Sequence, residues 1–159
     1  MEKIPASFYK IRFSDCDPFG HLNNARYLDY FLNAREDHLT TAYNFDLTEY
    51  YQQGISWLVG SHEINYLKPA NYNENVRIQT ALINVSENSL LVEMIMTDDN
   101  QTHIKAIIWT KFIPVNVTTG RRENHPTDFM AFAKTIEHVI SETQLEERLK
   151  SLLTAIKKS

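Results

Sequence analysis

Between Ile55 and Phe112 the chain repeatedly alternates bulky apolar with polar or small residues at a spacing of two. Leu58, Gly60, His62, Ile64 and Tyr66 fall on one face of the first stretch, with Trp57, Val59, Ser61, Glu63 and Asn65 on the other. Val76-Ile78-Thr80-Leu82, Leu90-Val92-Met94-Met96 and Ile104-Ala106-Ile108-Thr110-Phe112 repeat the pattern. Successive side chains of a strand point to opposite faces, so this period demands strands. Pro69, the polar stretch from Asn84 to Ser89 and that from Asp98 to Gln101 interrupt it, which predicts an antiparallel meander. Leu91, Ile95, Ile107 and Trp109 form a second apolar set in the later strands. Both faces are therefore expected to be covered, by a helix or by a partner subunit, and the second option points to a dimer.

The flanks supply the remaining elements. Phe8 to Phe13 reads as a short strand, and Ser14-Asp15-Cys16-Asp17-Pro18-Phe19-Gly20 as turn chemistry. From Ala25 to about Ala42, Leu28, Phe31, Leu32, Arg35, Leu39 and Ala42 lie on a helical stripe, with Asn23 or Asn24 as N-cap. Tyr43 to Gly54 has no clear period and is expected to be a loop or short helical turn. Beyond Gly120, Pro126 suits a first helical position, and Phe129, Phe132, Ala133, Ile136 and Ile140 make a stripe. Ser141 and Gln144 fit a capping box ahead of Leu145, Leu149, Leu152 and Ile156. The predicted class is α+β, a long helix against an antiparallel sheet.

Composition removes whole classes of function. The only glycines, Gly20, Gly54, Gly60 and Gly120, are spaced too far apart for a dinucleotide fingerprint, a phosphate-binding loop or a serine nucleophile elbow. A net charge of -4 without a basic tract argues against nucleic acid. The single cysteine, Cys16, excludes an internal disulfide and a thiolate zinc cluster and fits a reducing compartment, so the cytoplasm is expected. Neither a leader peptide nor a membrane span is expected, since no long apolar run occurs.

Functional side chains are densest from Asp15 to Asn24, between the first strand and the long helix. A calcium loop is excluded because Phe19 and Arg26 stand where oxygen ligands belong. Through Arg12-Phe13-Ser14-Asp15-Cys16-Asp17-Pro18-Phe19-Gly20-His21-Leu22-Asn23-Asn24-Ala25-Arg26-Tyr27, and more weakly through Ser61 to Ala70, the chain resembles the hotdog-fold acyl-CoA thioesterases of the 4-hydroxybenzoyl-CoA thioesterase and YbgC/FadM-like group.

The resemblance implies a long central helix wrapped by a curved antiparallel sheet of five to six strands. Residues 1–120 would form that domain and 121–159 a helical extension packed on it. It also implies assembly as a homodimer or homotetramer with the cleft between subunits, and hydrolysis of an acyl-CoA or acyl-carrier-protein thioester with no cofactor. Asp17 aligns with the family's nucleophile or general base. His21 would orient the carboxylate or the water, Asn24 would hold water or substrate, and N–H groups at the helix start would serve as oxyanion donors. Tyr27 is read as core or pocket wall, Asp15 as a turn cap, and Glu36 on the helix as a solvated charge once Asp17 takes the catalytic part. Phe19, Tyr27, Phe31, Trp57 and Tyr66 are available to enclose an acyl group. Lys68, Lys105, Lys111, Arg121 and Arg122 are the cations near strand ends that could meet coenzyme A phosphates. Two other functions share the fold: an enoyl-thioester hydratase or dehydratase, which Asp17 preceding Pro18 disfavours, and a non-catalytic acyl-CoA-binding protein.

Overall fold

The computed structural model describes residues 1–158. Five strands, β1 (Ala6–Lys10), β2 (Ile55–Tyr66), β3 (Asn75–Ser86), β4 (Ser89–Asp98) and β5 (Ile104–Asn116), form one sheet in the order β1-β3-β4-β5-β2. Every neighbouring pair is antiparallel. The register slips at Val59/Ser61, Leu82/Asn84 and Met96/Thr97, and such bulges bend a strand, which curves the sheet. Gly60 sits in the first of these. A Cβ there would lie 2.6 Å from Ile113 Cδ1, so the bulge admits only glycine without repacking.

The long helix α1 (Tyr27–Tyr43) packs against one face of the sheet. It is preceded by one 3-10 turn, Asn24–Arg26, whose start is capped by Asn23: Oδ1 accepts the Ala25 N–H at 3.1 Å. Asn44, at φ 50°, ends the helix in the left-handed conformation. The fully buried face runs through Tyr27, Phe31, Ala34, Arg35 and His38, while Leu28, Leu32, Leu39 and Ala42 are only half-buried. It is thus rotated from the stripe that the aliphatic residues suggest. Tyr27 and His38 tolerate burial because their polar tips find partners in the Ala70 N–H and Thr80 Oγ1. Val76, Ile78, Val92, Met94, Met96 and Ile108 complete this core.

The opposite face is covered from within the chain. Helix α4 (Leu145–Lys158) lays Leu145, Leu149, Leu152, Leu153 and Ile156 over Ala81, Ile83, Ile95, Ile107 and Trp109. The second apolar set therefore meets the C-terminal tail, and it gives no support to a dimer. Helix α2 (Leu47–Gln52) occupies the aperiodic segment, capped by Asp46 Oδ1 accepting the Thr48 N–H at 2.9 Å.

Helix α3 (Thr127–Ile136) starts one residue after Pro126, which holds extended backbone (ψ 147°) instead of the first helical position. It stops at Ile136 because Glu137 turns extended and bridges Leu82, with the His138 N–H on the Leu82 carbonyl at 2.7 Å. Ile140 falls outside the helix and packs with the α4 cluster. The capping box is not formed either. Ser141 Oγ donates to Glu142, and α4 begins only after Gln144. No helix of the described residues is long and apolar enough to cross a membrane.

Candidate active site

The segment from Asp15 to Asn24 folds as a tight hairpin. Cys16 and Leu22 form an antiparallel bridge, and the Asp17 N–H donates to the His21 carbonyl at 2.8 Å. Asp17-Pro18-Phe19-Gly20 closes as a β-turn, the Gly20 N–H reaching the Asp17 carbonyl at 3.0 Å. Proline at the second position pre-sets φ, and glycine at the fourth takes φ +77°. The tip is stitched to the strand-like run before β3 by Leu22 N–H to Ala70 O and Tyr72 N–H to Gly20 O, both 2.8 Å.

This turn fixes the Asp17 carboxylate. Oδ1 accepts the N–H of Phe19 at 2.9 Å and of His21 at 3.1 Å, and Oδ2 has no hydrogen-bond partner among the described residues. One oxygen is anchored and the other is free to act. It is the main-chain N–H of His21 that bonds Oδ1, and its imidazole has no hydrogen bond among the described residues. Asn24 opens the 3-10 turn. Its carbonyl accepts the Tyr66 hydroxyl at 3.1 Å, while among the described residues its N–H has no acceptor and its side-chain amide no partner. Burial raises the Tyr27 phenol, and the charges of Glu74 and Asp17 add to the shift.

Asp15 does not cap the turn. Its carboxylate accepts the Tyr30 hydroxyl at 2.7 Å and its carbonyl accepts the Asn23 N–H at 2.9 Å, tying the loop to α1 from both ends. Tyr30 also accepts the Arg12 N–H at 3.0 Å. Burial, reinforced by the bond to Asp15, pushes the Tyr30 phenol up to about 12, so it remains a donor. Desolvation and the flanking carboxylates of Asp15 and Asp17 push the Cys16 thiol up, away from the thiolate that a nucleophilic cysteine needs.

The aromatic residues expected around an acyl group are not gathered in one place. Phe31 and Tyr27 are core, Trp57 packs with His125 and Phe129 under α3, and Phe19 stands 84% exposed at the turn tip. Only Tyr66, edge-on to Tyr27 at 5.1 Å, borders the loop from the sheet. Among the cations, Lys105 is withdrawn into a buried pair with Glu74 at 2.9 Å, while Lys68, Lys111, Arg121 and Arg122 are exposed. Glu36 is a solvated residue of α1. Among the described residues no three His, Cys, Asp or Glu side chains converge to hold a metal.

Residues 11–133, from the end of β1 into α3, match the thioesterase-like superfamily. The chain belongs to that family. The long-chain acyl-CoA thioesterase FadM of Escherichia coli is 26% identical over 112 residues, covering 70% of this chain and 83% of that protein. The DHNA-CoA thioesterase of Staphylococcus aureus superposes with a TM-score of 0.75 at 20% identity, over 83% of this chain and 90% of that one. A second S. aureus protein, solved in complex with CoA, gives 0.76 at 14% identity over 91% and 92%. These likenesses show the hotdog fold. Within the thioesterase-like frame, the hairpin between β1 and α1 is where a backbone-anchored carboxylate and an open helix start meet. Sequence reading overlooks Tyr30, and it offers Tyr66 as an aromatic beside the acyl group but not as a hydroxyl donor to the loop. Both are aromatic hydroxyls whose partners, Asp15 and the Asn24 carbonyl, are defined only by the packing of α1 against the loop and the sheet.

Proposed function

We propose that this thioester hydrolase cleaves acyl-CoA to the free carboxylic acid and CoA at the Asp17 hairpin. The observation that carries the reading is the asymmetry of one carboxylate: Oδ1 held by two backbone N–H groups, Oδ2 unengaged. In the general-base route Oδ2 takes a proton from water as the water oxygen attacks the thioester carbon. The C–S bond then breaks and the thiolate recovers a proton. In the nucleophilic route Oδ2 attacks the same carbon, the C–S bond breaks to leave a mixed anhydride, and water opens the anhydride as the CoA thiolate takes up the proton that water releases. In either route the Asn24 N–H and the positive end of α1 meet the carbonyl oxygen as charge develops on it. His21 and Asn24 serve as orienting groups for water and substrate through the side-chain donors that the fold leaves unused. An acyl-carrier-protein thioester presents the same reacting atoms.

The reading includes a homodimer. Strand β2 pairs with β5 on one side only, and its twelve residues leave a long free edge with Leu58 54% and Val59 43% exposed. Open edges of this kind invite pairing with a second copy. The far end of that edge carries Tyr66, which bonds Asn24, so a partner docked there would stand beside the hairpin.

Thiol release from a panel of acyl-CoA and acyl-carrier-protein thioesters tests the assignment. Asp17→Asn is expected to lower kcat by about 100-fold or more with an unchanged melting temperature. A variant with near-wild-type turnover refutes the role of Asp17. In a single turnover in ¹⁸O-water, label in Asp17 establishes the nucleophilic route, since it enters only when water opens the anhydride at the Asp17 carbon.

A further inference from the structure

A cavity of about 150 Å³ lies between α1, α3 and the sheet, away from the hairpin. Its wall is apolar and aromatic, including Leu39, Trp57, Val92, Phe112, Phe129 and Phe132. An apolar cavity of ~150 Å³ takes up a molecule the size of benzene. One lining residue breaks the pattern: Arg35, whose side chain is 7% exposed.

Among the described residues the charge of Arg35 has no carboxylate partner. One nitrogen donates to Thr80 Oγ1 at 2.9 Å, and the guanidinium carbon stands 5.7 Å from the Tyr43 ring. Beside it the Tyr43 hydroxyl is buried too, and the Arg35 charge is the polar group it meets. The other buried charges of the described residues are treated differently. Lys105 pairs with Glu74 at 2.9 Å and Glu93 with Arg148 at 2.8 Å. The groups packed around Arg35 do not supply the missing anion. His38 shares Thr80 with it and joins Ser7 on β1, and burial together with the Arg35 charge keeps its imidazole near 4, hence neutral. A buried arginine that lines an apolar cavity and has no carboxylate of its own is suited to receive an anion that brings its own apolar body.

We propose that this cavity binds a small carboxylic acid, its carboxylate on Arg35 and its ring or short alkyl chain among the aromatic residues. The site is separate from the hairpin. Arg35 lies eight residues beyond Tyr27 along α1, a rise of about 12 Å, and the wholly buried Phe31 stands between them on the same stripe. It goes beyond the hydrolase reading and holds whether or not Asp17 is catalytic. Occupancy would make the protein responsive to free acids of the chemical class that thioester hydrolysis releases.

Calorimetric titration and thermal shift with benzoate and hexanoate, against neutral benzamide, provide the test. Saturable binding of either acid is expected, with a rise in melting temperature that benzamide does not reproduce. Arg35→Met should weaken binding by about 30-fold or more, since the charge pair is lost. Ser56→Leu, which grows into the same cavity and keeps Arg35, should weaken it as well and decides the matter if Arg35→Met fails to fold. Asp17→Asn should bind as the wild type does. No binding by about 10 mM acid overturns the proposal. Undiminished binding by Arg35→Met or Ser56→Leu overturns it too, and loss of binding in Asp17→Asn would relocate the acid to the hairpin and do the same.

Discussion

Arg148 on α4 holds both carboxylate oxygens of Glu93 on β4, Nε to Oε2 at 2.8 Å and Nη2 to Oε1 at 3.0 Å. Glu93 is 2% exposed and also accepts the Trp109 indole N–H at 3.0 Å. This fork is the polar centre of an otherwise apolar contact that seals the outer face of the sheet. Removing one partner strands the other charge in the interior, so Arg148→Leu should cost roughly 3–5 kcal/mol, read as a lower urea midpoint. The double variant Glu93→Leu, Arg148→Leu should recover most of that loss. A change under about 1 kcal/mol for Arg148→Leu would mean that apolar contacts alone hold the tail.

His38 makes stability depend on pH. Burial first, then the neighbouring Arg35 charge, lower its imidazole to about 4, with Asp37 pulling weakly upward. The unfolded chain binds this proton near pH 6.5, so the unfolded state gains protons first as pH falls. Stability should therefore be undiminished above about pH 6.5 and drop by roughly 3 kcal/mol on the way to pH 4 from this group. Carboxylates add to acid sensitivity, so the discriminating measurement is the difference between the wild type and His38→Gln. A flatter denaturation profile over that window is expected for the variant, and parallel profiles would count against it.

Tyr30→Phe removes the donor to Asp15 and the acceptor for the Arg12 N–H at once. A loss of about 1–2 kcal/mol is expected. If the hairpin is catalytic, kcat should fall more than KM rises, because the ring still packs while the loop is less fixed. Stopped thiol-release kinetics beside chemical denaturation read both quantities, and an unaffected kcat would detach the Tyr30 anchor from function.

Val59→Lys places a charge on the free edge of β2, where Val59 is 43% exposed. Sedimentation at micromolar concentration should report a dimer for the wild type and a monomer for the variant, with the far-ultraviolet spectrum unchanged. A wild-type monomer at that concentration would remove the dimer from the functional reading.

Legibility in the sequence followed the range of the forces involved. The strands from Ile55 to Asn116 and the long helix could be read because each is set by a short period acting over neighbours in sequence. The hairpin was equally visible, since Asp17, Pro18 and Gly20 carry turn preferences of their own. What escaped was everything defined by a partner far along the chain. The deeper burial of Tyr27 and His38 over Leu28 and Leu39 depends on Ala70 and Thr80, more than forty positions away. The end of α3 at Ile136 depends on Leu82, whose carbonyl and bridge draw the chain out of the helix.

The residues of this protein thus determined by themselves its α+β class, its strand and helix content, and the turn in which one carboxylate stands beside a helix start. Tertiary structure alone decided three other matters. The apolar outer face of the sheet is covered by the chain's own tail, because Glu93 and Leu145 find their partners there. Oδ1 of Asp17 is held by main-chain N–H groups and not by an imidazole, because the closed turn aims them at it. Arg35, one position on a helical stripe in the sequence, became a buried residue lining an apolar cavity, without a carboxylate partner among the described residues, once α1 and α3 closed over the sheet. No local preference encodes that outcome, for a charge is unpaired only with respect to everything packed around it.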